Sequence, residues 1–295
     1  MSNIAIAPPA DRIFSGILLT SIAYALFAGQ DAAIKLLVAG ISVWQVMFFR
    51  SVVILLGCLA FGGPSILRDT VRSPIINAVV VRSLFILGAW LCYYSAAKHL
   101  QLAEMTTIYF AAPVVVTILS IVYLGEVVPF SRWIAVGMGF VGVFIACDPT
   151  GLGFTLPVML VLAAAVLWAC SIILIRRTAL QERTIIQVVL NNAFFLVMAG
   201  VPTVFFWSTP TQGEFLLLVA VGGIGGIAQF TLFEGMKRAP ASVIASFEYT
   251  SLVWAFVLGY LIWSDVPRPE VFVGAALIIG AGFVIITTER ARRRR

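Results

Sequence analysis

The chain has 295 residues, of which 61% are hydrophobic and only 11% are charged, and its mean hydropathy is +1.07. Soluble domains carry about 25% charged residues, so a chain of this length has too few polar groups to cover a surface exposed to water. The composition excludes a soluble globular protein and predicts an integral membrane protein with a net charge of +6.

Ten apolar segments are long enough to cross a bilayer as helices, which takes about 20 mostly apolar residues. In chain order they are 13–35, 42–62, 77–97, 102–124, 131–147, 155–176, 185–207, 214–236, 241–263 and 270–288. Arg12 is the only basic residue before the first segment, and no clear cleavage site is present there. We therefore expect this segment to be a retained helix. The pattern predicts an all-α integral membrane protein with ten transmembrane helices and no soluble domain.

The few polar residues recur along the chain at an offset of 139 to 142 residues. The matched pairs are Lys35 with Arg176, Gln45 with Gln187, Lys98 with Lys237, and Glu126 with Asp265. Each half holds five segments, and because five is odd the second half enters the membrane from the opposite side. We therefore predict two inverted five-helix repeats, 13–147 and 155–288, followed by a basic tail, 289–295. Such repeats are typical of secondary transporters that bind substrate between the halves.

The distribution of basic residues predicts the orientation, because cytoplasmic loops are rich in Lys and Arg. With ten spans both termini share one side, which collects fourteen basic residues, against three (Lys35, Lys98 and Arg268) on the other side. We therefore expect both termini in the cytoplasm. The terminal run 292–295 is expected to contact anionic lipid rather than nucleic acid.

Charged and amide side chains within apolar segments suggest function, because placing a charge at the centre of a bilayer costs about 2.5–3.5 kcal/mol or more. Glu248 is a candidate ammonium or proton site, with a structural partner for a buried polar group as the alternative. Arg50 is expected to be structural. Asp31 and Lys35 are four residues apart, so we expect them to pair on one helix face. The adjacent pair 191–192, both Asn, is expected to form hydrogen bonds between helices.

Aromatic residues at mid-depth predict a central cavity, because Trp and Tyr otherwise collect at the membrane interfaces. Simple packing in the core or against lipid is the alternative. The expected substrate-binding residues are the aromatic Trp90, Tyr94, Tyr109, Trp168, Phe233, Tyr249 and Trp254, and the polar Gln30, Gln229 and Glu248.

Helix-breaking residues suggest where the halves could move. Pro113 should kink the fourth helix. Four glycines in the eighth helix, Gly222, Gly223, Gly225 and Gly226, should permit close approach of a neighbouring helix and rocking of the halves. Packing alone is the alternative for these glycines.

Catalytic and metal-binding clusters are not evident in the sequence. The four cysteines lie singly with no CxxC spacing, and His99 is the only histidine. We therefore expect neither a metal site, nor a cofactor, nor an enzyme. An integral membrane enzyme acting on lipid and a channel are the alternatives from other classes.

One stretch of the first half carries a family resemblance. It comprises Tyr94, the run Lys98-His99-Leu100-Gln101-Leu102-Ala103, then Ala112-Pro113-Val114, Leu124-Gly125-Glu126, Trp133 and Gly137. With these residues the chain resembles the drug/metabolite transporter superfamily in its EamA-type ten-helix branch, and within it bacterial amino-acid exporters, including those for aromatic amino acids. The second half departs from the motif, with Leu252-Val253 in place of Pro113-Val114.

The resemblance implies a cavity formed by predicted helices 1, 3, 4, 6, 8 and 9. It also implies an exporter of amino acids in the cell inner membrane that works by alternating access. Transport would be passive or coupled to ions such as protons, by a monomer or loose dimer embedded in lipid. Drugs and nucleotide sugars are the alternative substrates.

Overall fold

The computed structural model describes residues 10–63, 65–124, 130–147, 155–178, 181–238 and 250–293. These residues form twelve helices and no strand. The helices are α1 Ala10–Leu37, α2 Val43–Gly62, α3 Ser65–Val71, α4 Ile76–Ala96, α5 Leu102–Tyr109, α6 Ala112–Leu124, α7 Phe130–Cys147, α8 Leu156–Thr178, α9 Thr184–Phe205, α10 Gln212–Arg238, α11 Thr250–Trp263 and α12 Pro269–Arg293.

Six of these helices are long and apolar enough to cross a membrane. The spanning stretches are Phe14–Leu37, Val43–Gly62, Ile76–Ala96, Leu156–Leu174, Thr184–Phe205 and Gln212–Arg238. Shorter apolar stretches are Leu102–Val116, which covers α5 and the start of α6, and Gly137–Ala146, Thr250–Trp263 and Pro269–Ala281, which lie in α7, α11 and α12. The prediction of an all-helical membrane protein is confirmed, whereas the count of ten spans, the orientation and the inverted symmetry stay predictions.

The fourth predicted span, 102–124, is two helices rather than one kinked helix. α5 ends at Tyr109 and α6 begins at Ala112, so the break precedes Pro113, which lies in the first turn of α6. A proline at position 113 has no N–H to donate to the carbonyl of residue 109, so a continuous helix would lack that hydrogen bond. In the first turn of a helix, by contrast, no intrahelical N–H bond is needed. The proline therefore ends one helix and starts the next.

The short helix α3 was not predicted. Gly63 turns the chain after α2 with a φ of 71°, and its N–H donates to the carbonyl of Leu59 at 3.0 Å. Glycine adopts this left-handed conformation without a steric penalty. Seven residues are too few for a hydrophobic period to stand out in the sequence.

Helices of the first half pair with helices of the second half. α1 packs along α10, α4 along α8, α2 along α9 and α7 along α12. At one end of the bundle, Gln45 Nε2 donates to the carbonyl of Ser208 at 2.8 Å. At the other end, Thr184 Oγ1 donates to Glu234 Oε1 at 2.8 Å. Helices from the two halves of the chain therefore contact one another at both ends of the bundle.

Close packing of α7 on α12 depends on two glycines. A Cβ on Gly274 would lie 2.5 Å from the carbonyl oxygen of Gly142. We expect Gly274→Ala to destabilise the protein by about 1–3 kcal/mol, because backbone atoms cannot move aside cheaply. Thermal unfolding in detergent measures the effect, with Gly137→Ala as the control because no atom of the described residues lies within 4 Å of that Cβ position. Equal midpoints for the two variants would contradict the prediction.

Candidate functional site

A cavity of about 120 Å³ lies between α1, α4, α5, α8, α10 and α11. Its aromatic lining consists of Tyr24, Phe27, Trp90, Tyr93, Tyr94, Tyr109, Phe110 and Trp168. Its polar lining consists of Gln30, Asp31, Thr106 and Ser251, beside the hydroxyls of the tyrosines. An apolar concavity with a few convergent polar groups is typical of a small-molecule site.

Helical spacing on α4 turns the aromatic side chains inward. Trp90, Tyr93 and Tyr94 are separated by three and four residues, so they share one helix face. The ring of Tyr93 lies edge-on to that of Tyr94 at 5.5 Å and to that of Tyr109 at 5.3 Å. The Tyr93 hydroxyl also lies 3.3 Å from Thr106 Oγ1. Edge-to-face contacts of this kind hold the rings in place before any ligand binds.

Asp31 is the one acidic residue among the described residues that line the cavity. The hydroxyl of Tyr94 donates to Asp31 Oδ1 at 2.7 Å. The expected pairing of Asp31 with Lys35 is wrong, because Lys35 Nζ donates instead to the carbonyl of Leu100 at 2.5 Å. Lys35 also lies 5.1 Å over the ring of Trp263. The carboxylate of Asp31 therefore faces the cavity, and Lys35 does not neutralise it.

Arg50 lies fully buried behind the cavity wall and holds two of its side chains. Its guanidinium stacks 4.4 Å from the ring centroid of Trp90, and its Nε donates to Gln30 Oε1 at 3.1 Å. Gln30 Nε2 in turn donates to the Tyr94 hydroxyl at 3.4 Å. A hydrogen-bonded chain therefore connects Arg50 to Asp31. These contacts fit the structural role expected of Arg50.

The two asparagines of α9 form hydrogen bonds to neighbouring helices, and Asn192 joins the Arg50 network. Ser83 Oγ donates to Asn191 Oδ1 at 2.8 Å. Asn192 accepts from Arg50 Nη1 at 3.4 Å and donates to Gln229 Oε1 at 3.1 Å. The prediction of hydrogen bonds between helices is confirmed for both residues.

The predicted substrate-binding residues fall into three groups. The cavity is lined by Gln30, Trp90, Tyr94, Tyr109 and Trp168. Outside it, Gln229 bonds Asn192, Phe233 lies 5.7 Å from the guanidinium of Arg82, and Trp254 is 42% exposed on α11. Glu248 and Tyr249 lie outside the described residues.

Three of the four glycines proposed for gating face α2. Cβ atoms on Gly222, Gly225 and Gly226 would lie 2.5 Å from Val53, 2.9 Å from Arg50 Nε and 3.2 Å from Ile54 respectively. The Cβ position of Gly223 has no atom of the described residues within 4 Å. The atom nearest to a Cβ on Gly225 is Gln30 Oε1, so the cluster closely approaches α1 as well as α2.

Sequence reasoning missed several lining residues: Tyr24, Phe27, Asp31, Tyr93, Thr106, Phe110 and Ser251. Helical spacing offered a signal for some of them. Phe27, Gln30 and Asp31 lie three and four residues apart, and Tyr93 lies three residues from Trp90. No comparable signal marks Ser251, because its place in the cavity depends on which helix α11 contacts.

Polar contacts cross the bundle beside the cavity, at the end where α1 stops. The bond from Lys35 to the carbonyl of Leu100 joins α1 to the turn before α5. Arg268 Nε forms an ion pair with Glu104 Oε1 at 3.4 Å, which joins α5 to the segment before α12. Glu104 Oε2 also accepts from the N–H of Gln101 at 3.0 Å and caps α5. These contacts tie three elements together near the cavity.

Metal chemistry has no candidate centre in the described part of the chain. No group of three or more His, Cys, Asp or Glu side chains lies together there. The described lining of the cavity offers aromatic rings, a carboxylate and hydrogen-bonding groups.

Comparison with known proteins gives one family across most of the chain. The sequence profile of the EamA-like transporter family matches residues 14–147 and 155–287. An S-adenosylmethionine uptake transporter of Rickettsia bellii (strain RML369-C) is 25% identical, covering 89% of this chain and 90% of its own. A riboflavin transporter of Vibrio cholerae is 26% identical, covering 90% and 89%.

Two further similarities cover nearly the whole chain. The pseudopaline exporter CntI of Pseudomonas aeruginosa (strain UCBPP-PA14) is 24% identical, covering 95% of this chain and 99% of its own. One solved crystal structure superposes with a TM-score of 0.64 at 22% identity, covering 95% and 99%. At that identity the structural likeness shows the fold alone.

Proposed function

Because the chain belongs to the EamA-like transporter family, and is therefore a membrane transporter of small molecules rather than an enzyme, we propose that it exports aromatic amino acids. The route crosses the cell inner membrane through the cavity between the two halves. The observation that carries this proposal is a carboxylate, Asp31, set among aromatic rings.

Each part of an aromatic amino acid has a counterpart in the cavity. The ammonium group would donate to Asp31, a charge-assisted bond stronger than a neutral one. The aromatic side chain would stack against Trp90, Tyr109 or Trp168, which favour offset or edge-on partners. Gln30 would donate to or accept from the remaining polar end.

Alternating access would arise from the two predicted inverted repeats, 13–147 and 155–288. The pairing of α1 with α10 and of α4 with α8 supports it, because motion of one half against the other changes both walls of the cavity. The termini would lie in the cytoplasm, as the basic residues predict. Coupling would be to protons or absent, and the protein would act as a monomer or loose dimer.

S-adenosylmethionine is a second candidate substrate. It combines an α-amino acid, a sulfonium cation and an adenine ring, and Asp31 with the surrounding rings offers partners for all three. Four of the similar proteins are named as uptake transporters of this compound in Rickettsia.

Reconstituted protein in liposomes tests the proposal. We expect saturable uptake of radiolabelled phenylalanine, tyrosine or tryptophan, measured beside S-adenosylmethionine and riboflavin. Saturable uptake of S-adenosylmethionine alone would favour the second candidate. No uptake of any amino acid, with or without a proton gradient, would contradict the amino-acid assignment.

Trp168→Leu tests the aromatic wall of the cavity. We expect the apparent KM for aromatic amino acids to rise about threefold to tenfold, because aromatic pairs contribute about 0.5–1.5 kcal/mol beyond burial. Trp207→Leu is the matched control, since Trp207 lies 51% exposed outside the cavity. The same KM for both variants would show that the rings do not bind the substrate.

A further inference from the structure

A second buried arginine, Arg82 on α4, lies away from the cavity. Its side chain is 0% exposed. Its Nη1 donates to Thr178 Oγ1 and to Gln187 Oε1, both at 3.1 Å. Its guanidinium lies 5.7 Å from the ring centroid of Phe233. These three residues belong to α8, α9 and α10, so the guanidinium is held in one orientation from three sides.

The other two nitrogens of Arg82, Nε and Nη2, have no hydrogen-bond acceptor among the described residues. In a guanidinium group the N–H of Nε and one N–H of Nη2 point the same way and form a two-pronged edge. That edge matches the two oxygens of a carboxylate, which accept from it in parallel. The free donors are therefore the pair that recognises a carboxylate.

Charge reinforces this geometry. The ion pairs found among the described residues join Arg183 to Asp69, Arg268 to Glu104, and Lys237 and Arg238 to Glu234. None of them involves Arg82. A cation buried in a membrane protein without a counter-charge is costly, and such residues usually mark the path of a substrate or ion. The stacked ring of Phe233 attracts the cation but accepts neither free N–H.

We propose that Arg82 is a docking site for the carboxylate of the transported metabolite, bound in bidentate fashion. This assignment rests on the proposed function, because it takes the carboxylate from an amino-acid substrate. In this site the ring of Phe233 would cover the guanidinium that binds the carboxylate.

The Arg82 site is separate from the cavity. Trp90 lies eight residues and Tyr94 twelve residues further along α4, which corresponds to about 12 Å and 18 Å at 1.5 Å per residue. The ammonium and carboxylate of an α-amino acid are only about 3 Å apart, given ordinary bond lengths. One substrate therefore cannot contact Asp31 and Arg82 together. The carboxylate docks at Arg82 in a step that precedes or follows occupation of the cavity.

Binding of 3-phenylpropionate to the purified full chain in detergent tests the site. This probe carries an aromatic ring and a carboxylate but no ammonium group, and 3-phenylpropionamide is the same molecule without the charge. Arg82→Lys keeps the positive charge but lacks the two-pronged edge. Arg72→Lys is the control, because Arg72 is exposed.

We expect the wild type to bind the acid at least about tenfold more tightly than the amide, as hydrogen bonds to charged groups allow. Arg82→Lys should lose most of that preference, whereas Arg72→Lys should keep it. A purely structural role for Arg82 would not change the ratio of acid to amide affinity.

Two results would overturn the site: equal affinity of the wild type for acid and amide, or an unchanged preference in Arg82→Lys. If Arg82→Lys does not fold, the site is tested on the wild type by its ratio of acid to amide affinity and by competition with inorganic phosphate. Displacement of the acid by phosphate at equal concentration would overturn the carboxylate assignment. Saturable uptake of phenylalanine, without tighter binding of the acid than of the amide, would contradict the Arg82 site and leave the proposed function standing. An Arg82-dependent preference for the acid, without uptake of any amino acid, would contradict the proposed function and leave the site standing.

Discussion

Replacing Asp31 with asparagine is expected to lower kcat/KM for the uptake of aromatic amino acids at least about tenfold, since a hydrogen bond to a charged group contributes about 1.5–3 kcal/mol. Asparagine has nearly the same size and retains an oxygen that accepts from the Tyr94 hydroxyl, now found at 2.7 Å. The substitution therefore removes the negative charge and leaves the packing of the cavity wall. A loss of transport would identify the charge as the binding element.

Asp69→Asn is the matched control for this experiment. It removes a carboxylate from a side chain that is 45% exposed and paired with Arg183 at 3.6 Å, far from the cavity. Exposed ion pairs contribute about 0–1 kcal/mol, so transport should be unchanged. Full activity of Asp31→Asn combined with loss of activity in Glu248→Gln would move the ammonium site to Glu248.

Gly225→Ala is expected to reduce transport at least about tenfold and to destabilise the protein, because overpacking of a core costs about 1–3 kcal/mol or more. The added Cβ would clash with Gln30 Oε1 and lie 2.9 Å from Arg50 Nε and 3.1 Å from Arg50 Nη2. Arg50 is also held by Trp90 and Asn192, and Gln30 by Tyr94, so moving either side chain would break these contacts. The clash would displace the two residues that order the cavity wall. Transport kinetics and the thermal midpoint in detergent measure both effects.

Gly223→Ala distinguishes two explanations for the glycine cluster. Its Cβ would meet no atom of the described residues within 4 Å, and alanine favours a helix over glycine by about 0.5–1 kcal/mol. If the glycines act by close approach, Gly225→Ala is defective and Gly223→Ala is not. If they act as a flexible hinge, both variants lose transport to a similar degree. Normal transport by Gly225→Ala would contradict the packing explanation.

The sequence predicted the membrane class, the positions of most helices and five of the cavity residues. Hydropathy and depth within a segment are local properties, so Trp90, Tyr109 and Trp168 stood out without knowledge of their neighbours. The proline at 113 also signalled a break, although its position within the first turn of α6 placed that break three residues earlier than a kink at the proline itself.

The wrong prediction for Lys35 shows that spacing along one helix does not determine the partner of a buried charge. A spacing of four residues favours a pair between Asp31 and Lys35 on an isolated helix. In the folded protein the Tyr94 hydroxyl and the carbonyl of Leu100 lie closer to these two groups. Partners from elsewhere in the fold replace the local pair because buried polar groups take the best available geometry. That geometry depends on where α1 lies relative to Tyr94 and to the turn that holds Leu100.

The sequence by itself determined that this chain lies in a membrane as a bundle of helices with aromatic rings at mid-depth, because composition and periodicity follow from the order of residues. Only the tertiary structure decided that Asp31 faces the cavity, that Gly225 leaves room for Arg50, and that two donors of Arg82 have no acceptor among the described residues. Each of these features joins residues far apart in the chain. Their contacts therefore arise from which helix faces meet, and that depends on the packing of the whole bundle.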